Sequence, residues 1–568
     1  MTVSVSRGRA RRGAVVARPS RGVGALRAAV VLVVVLMVLV IARLPWIGDL
    51  GMHAATVERL RHDLVRPGDP LVRADAPSPY YSPWTVLLGC LARVSGLSVW
   101  NVLRVGAVVA LGLLVSGVWR YARVLGGSRA AGPLAVLCVV LLWGVRDFAW
   151  SGLLGLDSLA LTVAYPSVLA AGLSFHLWVV LTRALRVGAG WGVFLGLGVL
   201  WAVIVLVHQF TGVVASLGVV GVVVEWFLAP AALTFPLLKG LRPLDPGVRC
   251  RPAAGGDFSR PRGGSRGSGT APRPCRGTVA AACPARFRAP YGTGLRVAGG
   301  VALGVVVLWV WPYYDFFSLS HAGKGLEAIH RPLYDALPAR YGLVLVGVVA
   351  LAVRARRVRW DALVVFFLLG VAVFALGGLT GHWSLGRVLP AVLIPAQLAL
   401  AVEAPAAWGV VQGWWRAGLA VVVGGALAVG AWAQVGVVGY AVPRRVLPDV
   451  VAERSAVPWR GYGWITPRVR YGDVVLARTG PARRIPAYGA YTVAPGYPDV
   501  FLADEAERTD AVRRYYAPGT TPAVRHAVER RYGVRWVVWG RGDGAPPGGL
   551  RRVASGPGGA VLYEVVGL

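Results

Sequence analysis

AAVVLVVVLMVLVIARLPWIGDLGMHAA, residues 28–55, is the stretch on which the fold turns. From Ala28 to Ala42 it carries no charge, and with the residues to Ile47 it reaches the roughly 20 apolar positions a helix needs to cross the hydrocarbon core. A basic tail, Arg7 to Arg27, precedes it as in a secretory leader. No small-x-small cleavage site follows; the run closes on Ala42-Arg-Leu-Pro-Trp46, so it reads as a retained signal anchor. Asp49 comes directly after it, a carboxylate set down at the boundary between membrane and water.

Working outward with the same criterion, about eleven runs are expected to span: 28–47, 99–119, 133–150, 159–181, 191–207, 211–228, 295–313, 341–353, 362–380, 388–402 and 417–440. The run 83–94 is short and carries Arg93, which suits an interfacial or re-entrant piece on the outer surface. Of the 568 residues 56% are hydrophobic and only 15% charged, where a soluble domain is about a quarter charged. The expected fold class is therefore an all-α polytopic membrane protein.

The net charge of +34 would suggest nucleic acid in a soluble protein. Here the arginines cluster between apolar runs, so they read as topology signals and no nucleic-acid partner is expected. Lysine occurs only at Lys239 and Lys324, a bias that points to a GC-rich, actinobacterial type of genome. Cys90 and Cys138 sit in apolar stretches, and Cys250, Cys275 and Cys283 lack metal-ligand spacing, so neither a disulfide framework nor a zinc site is expected.

Arginine is retained on the cytoplasmic side. The tail, Arg120, Arg123 and Arg129, Arg183 and Arg186, and Arg354 to Arg359 alternate correctly with eleven spans, putting the N-terminus in the cytoplasm and the C-terminus outside a cytoplasmic membrane. The chain then divides into a basic tail (1–27), an N-terminal transmembrane module (28–240) with outer loops at 48–98 and 146–158, a cytoplasmic loop (241–290), a C-terminal transmembrane module (291–440) and an extracytoplasmic α/β domain (441–568). The 241–290 loop is Arg, Gly, Pro and Ser with almost no large apolar residue, which reads either as disorder or as a frameshifted stretch of reading frame. After 441 the pattern changes to strand-like segments at 474–477, 534–539 and 560–565 and amphipathic helices at 504–516 and 521–532.

Carboxylates and histidines gather on the outer face. Asp49 and His53 are four apart and share a helix face, which suits a general base; equally, Asp49 caps an interfacial helix, a common use of Asp. The loop Gly144-Val-Arg-Asp147, continuing to Asp157, offers two carboxylates as acid or metal ligand and Arg146 as phosphate clamp, or it is an ordinary solvated turn. Asp157 is the more informative of the two, because it adjoins a span where a carboxylate is costly without a partner. His382-Trp-Ser-Leu-Gly-Arg387 sets an arginine where it could neutralise a lipid phosphate or snorkel to headgroups. Trp311-Pro-Tyr-Tyr-Asp315 combines interface aromatics with an acid, and His208 reads as a lone structural histidine.

This layout resembles the glycosyltransferase C (GT-C) fold, the membrane-embedded class of protein O-mannosyltransferases, aminoarabinose transferases and bacterial polyprenyl-phosphate-sugar transferases. The resemblance rests on Gly48-Asp49 with His53, on Pro79-Tyr-Tyr-Ser-Pro-Trp84, on the acidic second outer loop, on Tyr165-Pro-Ser167 opening the fourth span, and on an outer C-terminal domain. It covers most of the chain outside 241–290. It implies transfer of a sugar from a polyprenyl-phosphate donor to an envelope glycan or protein acceptor, with membrane lipid around it. Asp49, Asp157 and Asp147 would be the catalytic carboxylates; His53, Arg146, His382, Arg387 and Asp315 would bind substrate or phosphate. It leaves a divalent cation open as cofactor.

Two other classes compete. A transporter or lipid flippase would need ionisable residues near the bilayer midplane and an internal repeat, neither of which stands out. A non-catalytic envelope scaffold would tolerate loss of Asp49.

Overall fold

The structure is a computed structural model that describes residues 21–228, 290–319 and 327–566. The start of the basic tail, nearly all of the 241–290 loop with Cys250, Cys275 and Cys283, and His321 lie outside the described residues.

The chain is a polytopic helical membrane protein with a small mixed α/β unit at its C-terminal end. In order come α1 (Arg21–Arg43), α2 (Leu50–His62), α3 (Pro83–Ser95), α4 (Val99–Gly126), α5 (Ala131–Leu141), α6 (Leu156–Thr162), α7 (Pro166–Val187), α8 (Trp191–Val207), α9 (Gln209–Leu228) and α10 (Pro290–Trp309). Then follow the short α11 (Glu327–His330) and α12 (Leu337–Tyr341), and the long α13 (Leu345–Arg357), α14 (Ala362–Thr380), α15 (Pro390–Trp408) and α16 (Gly413–Ala433). Among the described residues nine helical stretches are long and apolar enough to cross a membrane, and α5 and α8 are shorter apolar helices. Together these fall on the eleven expected runs.

Two boundaries differ from expectation. The third run leaves the helix after Leu141 rather than near 150. The fourth is broken: α6 stops at Thr162 and α7 starts afresh with Pro166 in its first turn, because proline fits the start of a helix but has no N–H to continue one. α3 rises only ~20 Å, short of the ~30 Å hydrocarbon core. Ser82 and Thr85 form a capping box at its start, and it packs on α2.

α7 and the stretch Trp383–Trp408 are the most enclosed spans, whereas α1, α10 and α16 lie at the rim. Close approach is bought with glycine: Gly172 lies against the backbone of Leu113 and Leu114, and Gly198 of α8 against Gly300 of α10. At one end of the bundle an ionic network ties α13, α14 and α15. Arg354 Nε is 2.7 Å from Asp361 and its Nη1 3.2 Å from Glu403, which Arg357 also reaches at 2.6 Å.

In the C-terminal unit, β1 (Val474–Leu476), β2 (Tyr491–Thr492), β3 (Val534–Trp539), β4 (Leu550–Ser555) and β5 (Val561–Val565) form one sheet in the order β2-β1-β3-β5-β4. β1 runs parallel to both its neighbours, and β3, β5 and β4 are antiparallel. Helices Glu505–Tyr515 and Pro522–Tyr532 cover it. The loop after α2 extends the sheet: Val72 bridges Thr492 in parallel, and the Thr492 amide donates to Leu71 O at 2.9 Å. Arg59 of α2, fully buried, fixes the same junction, donating to the carbonyls of Gly489 (2.9 Å) and Ala490 (2.6 Å) beneath the Tyr491 ring. A buried guanidinium is costly unless its donors are used, so α2 and the sheet pack as one piece.

Candidate active site

The turn between α1 and α2 is tightly specified. Leu44 adopts a left-handed φ of 50°, unusual for a residue with a Cβ, and Gly48 one of 71°. Three consecutive carbonyls are each tied to a different element: Trp46 O accepts from the Trp459 amide (2.6 Å), Ile47 O from the Tyr165 hydroxyl (2.6 Å) and Gly48 O from the Tyr497 hydroxyl (2.7 Å). The next residue is Asp49. The span bundle and the C-terminal unit thus hold the backbone that presents it.

Asp49 stands at the N-cap position of α2, yet its side chain makes no capping hydrogen bond. The capping expectation therefore fails in its chemistry while holding in position. The Tyr165 hydroxyl lies beside the same turn, where it donates to Ile47 O. Burial raises the Asp49 carboxyl above its ordinary range, and the charges of Arg387 and Arg483 pull it back down. An acid that is partly buried, makes no cap and feels the charges of two arginines can accept a proton from a neighbouring hydroxyl.

His53, one turn along α2, is 9% exposed, and its Nδ1 has no hydrogen-bond partner among the described residues. Its ring meets Tyr165 edge-on at 4.8 Å between centroids. Burial pushes its pKa down to about 3, so it stays neutral. Arg387 comes from the 3-10 turn Trp383–Val388. Its Nη2 is 3.4 Å from His208 Nε2, and its guanidinium lies 4.4 Å over the Phe210 ring. Nδ1 of His208 accepts from the Thr211 amide at 3.2 Å and lies 2.8 Å from Thr211 Oγ1. Burial and the neighbouring charge of Arg387 keep His208 unprotonated. Behind Arg387 and His208 a narrow pocket runs past Ser151, Gly152 and Phe210.

Asp49, His53, Arg387 and His208 therefore share one electrostatic neighbourhood. The remaining residues expected from the sequence lie elsewhere. Asp147 and Arg146 are exposed, and the Arg146 amide donates to Ala339 O at 3.0 Å. Asp157 feels the like charge of Asp147 and is not among the groups that act on Asp49; burial first, and Asp147 second, push its pKa up to about 6. His382 is exposed beside Glu327. Asp315 is exposed and accepts from the Phe317 amide and the Ser318 hydroxyl of its own turn. Among the described residues no group of three or more His, Cys, Asp or Glu side chains converges as metal ligands.

Sequence reasoning missed Arg483 and Tyr497, which reach the site from the far end of the chain, and took His208 as solitary. Tyr165 was visible only as part of a motif. Nothing in the spacing of the Gly496-Tyr-Pro-Asp499 turn marks its tyrosine, since only the tertiary fold brings it to Gly48.

No family model and no curated protein matches the chain. Solved structures do. The arabinofuranosyltransferase AftD from Mycobacteria aligns with 95% of this chain at 14% identity and a TM-score of 0.53, and a mutant form of it with 95% at 16% identity and 0.52. The chain spans 40% and 42% of those two chains. ArnT from Cupriavidus metallidurans, solved bound to undecaprenyl phosphate, aligns over 97% of this chain and 100% of its own, at 15% identity and a TM-score of 0.48. At these identities likeness speaks to architecture: the chain has the GT-C fold.

Proposed function

We propose that this protein transfers a sugar from a polyprenyl-phosphate donor to a hydroxyl of an envelope glycan or protein, on the outer face of the cytoplasmic membrane. The observation that carries the reading is Asp49: a carboxylate that makes no capping bond, follows three tethered carbonyls at the end of a span, and feels the charges of Arg387 and Arg483. Asp49 takes the proton of the acceptor hydroxyl as that oxygen bonds to the sugar's anomeric carbon. The bond from that carbon to the phosphate oxygen breaks, and the polyprenyl phosphate leaves with the electron pair. Arg387, which lies over the Phe210 ring, meets the negative charge that develops there. His53 Nδ1 offers a neutral, desolvated acceptor for a second hydroxyl of donor or acceptor. No step is routed through a cation; among the described residues no three His, Cys, Asp or Glu side chains converge.

The orientation belongs to the same proposal. With the ends of α4, α7 and α13 that carry Arg123, Arg186 and Arg354 in the cytoplasm, α2, α3 and the unit from residue 441 onward stand outside.

The test is transfer of labelled sugar in membranes from a panel of polyprenyl-phosphate sugars, comparing wild type with Asp49→Asn at matched expression. Loss of about a hundredfold or more is the expected result for a general base. Equal activity of the two proteins removes Asp49 from the reaction; no turnover with any donor removes the transferase reading.

A further inference from the structure

Between α1 and α4 the wall of the bundle opens into a groove of about 510 Å³. Val34 and Val38 form one side, Val108 and Gly112 the other, and Trp119 and Arg120 close one end. The lining is apolar except for Ser116 and that arginine. Val38 and Val108 are 43% and 48% exposed, and a Cβ at Gly112 would meet nothing within 4 Å, so the space is not filled by the protein's own packing.

Its length and polarity define what fits. Val108 to Arg120 spans a helical rise of ~18 Å, close to one leaflet, since the hydrocarbon core of two leaflets is ~30 Å thick. The cation stands at one end only. Arg120 is exposed, with Arg123 exposed one turn on, and among the described residues no acid pairs with either. At the other end of α4, Arg104 Nε donates to Ala42 O at 3.2 Å, beside the turn that leads to Asp49. The groove therefore opens on the leaflet away from Asp49 and is separate from the site where a donor phosphate would sit.

We propose that this groove binds an anionic glycerophospholipid, with one acyl chain along α1 and α4 and the phosphate at Arg120. Guanidinium presents paired donors to phosphate, and basic pockets between spans at the membrane surface select anionic headgroups. A headgroup phosphate pairs with the exposed Arg120 and Arg123, which an apolar transmembrane helix would leave without an anion.

Native mass spectrometry of the full chain in detergent, titrated with phosphatidylglycerol, phosphatidylcholine or inorganic phosphate, tests this. The expected result is one retained phosphatidylglycerol, not displaced by inorganic phosphate and not replaced by phosphatidylcholine. Arg120→Gln weakens it by about fivefold, the worth of one basic side chain at an anionic surface. Gly112→Leu, whose Cβ would meet no atom within 4 Å, removes it with unchanged thermal unfolding. Equal retention of the two lipids, an adduct unchanged in both variants, or efficient disulfide-linked dimers of Val38→Cys in membranes would overturn the proposal, the last by showing a second copy in the groove.

Discussion

The Tyr497 hydroxyl donates to Gly48 O at 2.7 Å, so a residue of the C-terminal unit holds the backbone one position ahead of Asp49. Arg483, from the same unit, is one of the two cations that act on the Asp49 carboxylate. The unit that looks like an appendage in the sequence is thus a wall of the proposed site.

Tyr497→Phe keeps the ring over Arg483 and removes only the tether. A single hydrogen bond contributes about 1 kcal/mol net, so the fold should persist. The expected outcome is a drop of about tenfold in kcat for sugar transfer with little change in KM, since the base is displaced while the binding surfaces remain. An unchanged kcat at matched expression would show that the turn holds without this tyrosine.

The pH dependence follows from the sign of the shift. A general base works only when ionised, and burial raises the Asp49 carboxyl, so the acid limb of the rate profile should lie above the ordinary carboxylate range. Arg483 lowers that pKa; Arg483→Gln removes the opposing charge, raises the pKa further and moves the limb to higher pH. Arg483→Lys keeps the charge and should leave the limb near its wild-type position. A profile of kcat/KM against pH for the three proteins decides it.

The spans were legible because crossing a bilayer imposes a length and an apolarity that composition alone reveals, and the strand-like segments at 474–477 and 534–539 were legible from β-branched and aromatic runs. Helix breaks were less so: Pro166 starts α7 inside an apolar run that hydropathy reads as continuous. β2 is two residues long and β4 carries Arg551 and Arg552, so neither shows a hydrophobic alternation. Within the site, Asp49 and His53 are neighbours on one helix and can be paired from sequence. Arg387 was noticed for its charge, but its companions could not be. The contact of His208 with Arg387 and the reach of Tyr497 to Gly48 join residues far apart in the chain, and no periodicity encodes them.

Gly48→Ala probes the turn directly. The glycine has a φ of +71°, and a Cβ would stand 3.3 Å from the Tyr165 hydroxyl. The left-handed conformation costs a residue with a Cβ about 1–2 kcal/mol. Tyr165 must also yield, which disturbs its bond to Ile47 O. Both the thermal midpoint and the transfer rate should fall. A fall in the midpoint alone would uncouple the turn from activity.

The last prediction concerns the network at the far end of the bundle, where exposure separates two arginines that share Glu403. The Arg354 side chain is 14% exposed and bridges Asp361 and Glu403; that of Arg357 is 62% exposed and touches Glu403 alone. Removing Arg354 leaves Asp361, 2% exposed, without its cation, and stranding a buried charge costs on the order of 3 kcal/mol. Removing Arg357 breaks a solvent-screened pair worth under about 1 kcal/mol. Arg354→Gln should therefore lower the thermal midpoint of the detergent-solubilised protein clearly, and Arg357→Gln barely. Adding Asp361→Asn to Arg354→Gln should recover part of the loss, because the penalty is that of an uncompensated charge rather than of a missing contact. Equal midpoints for the two single variants would mean that water reaches Asp361 and that the three spans are held by packing alone.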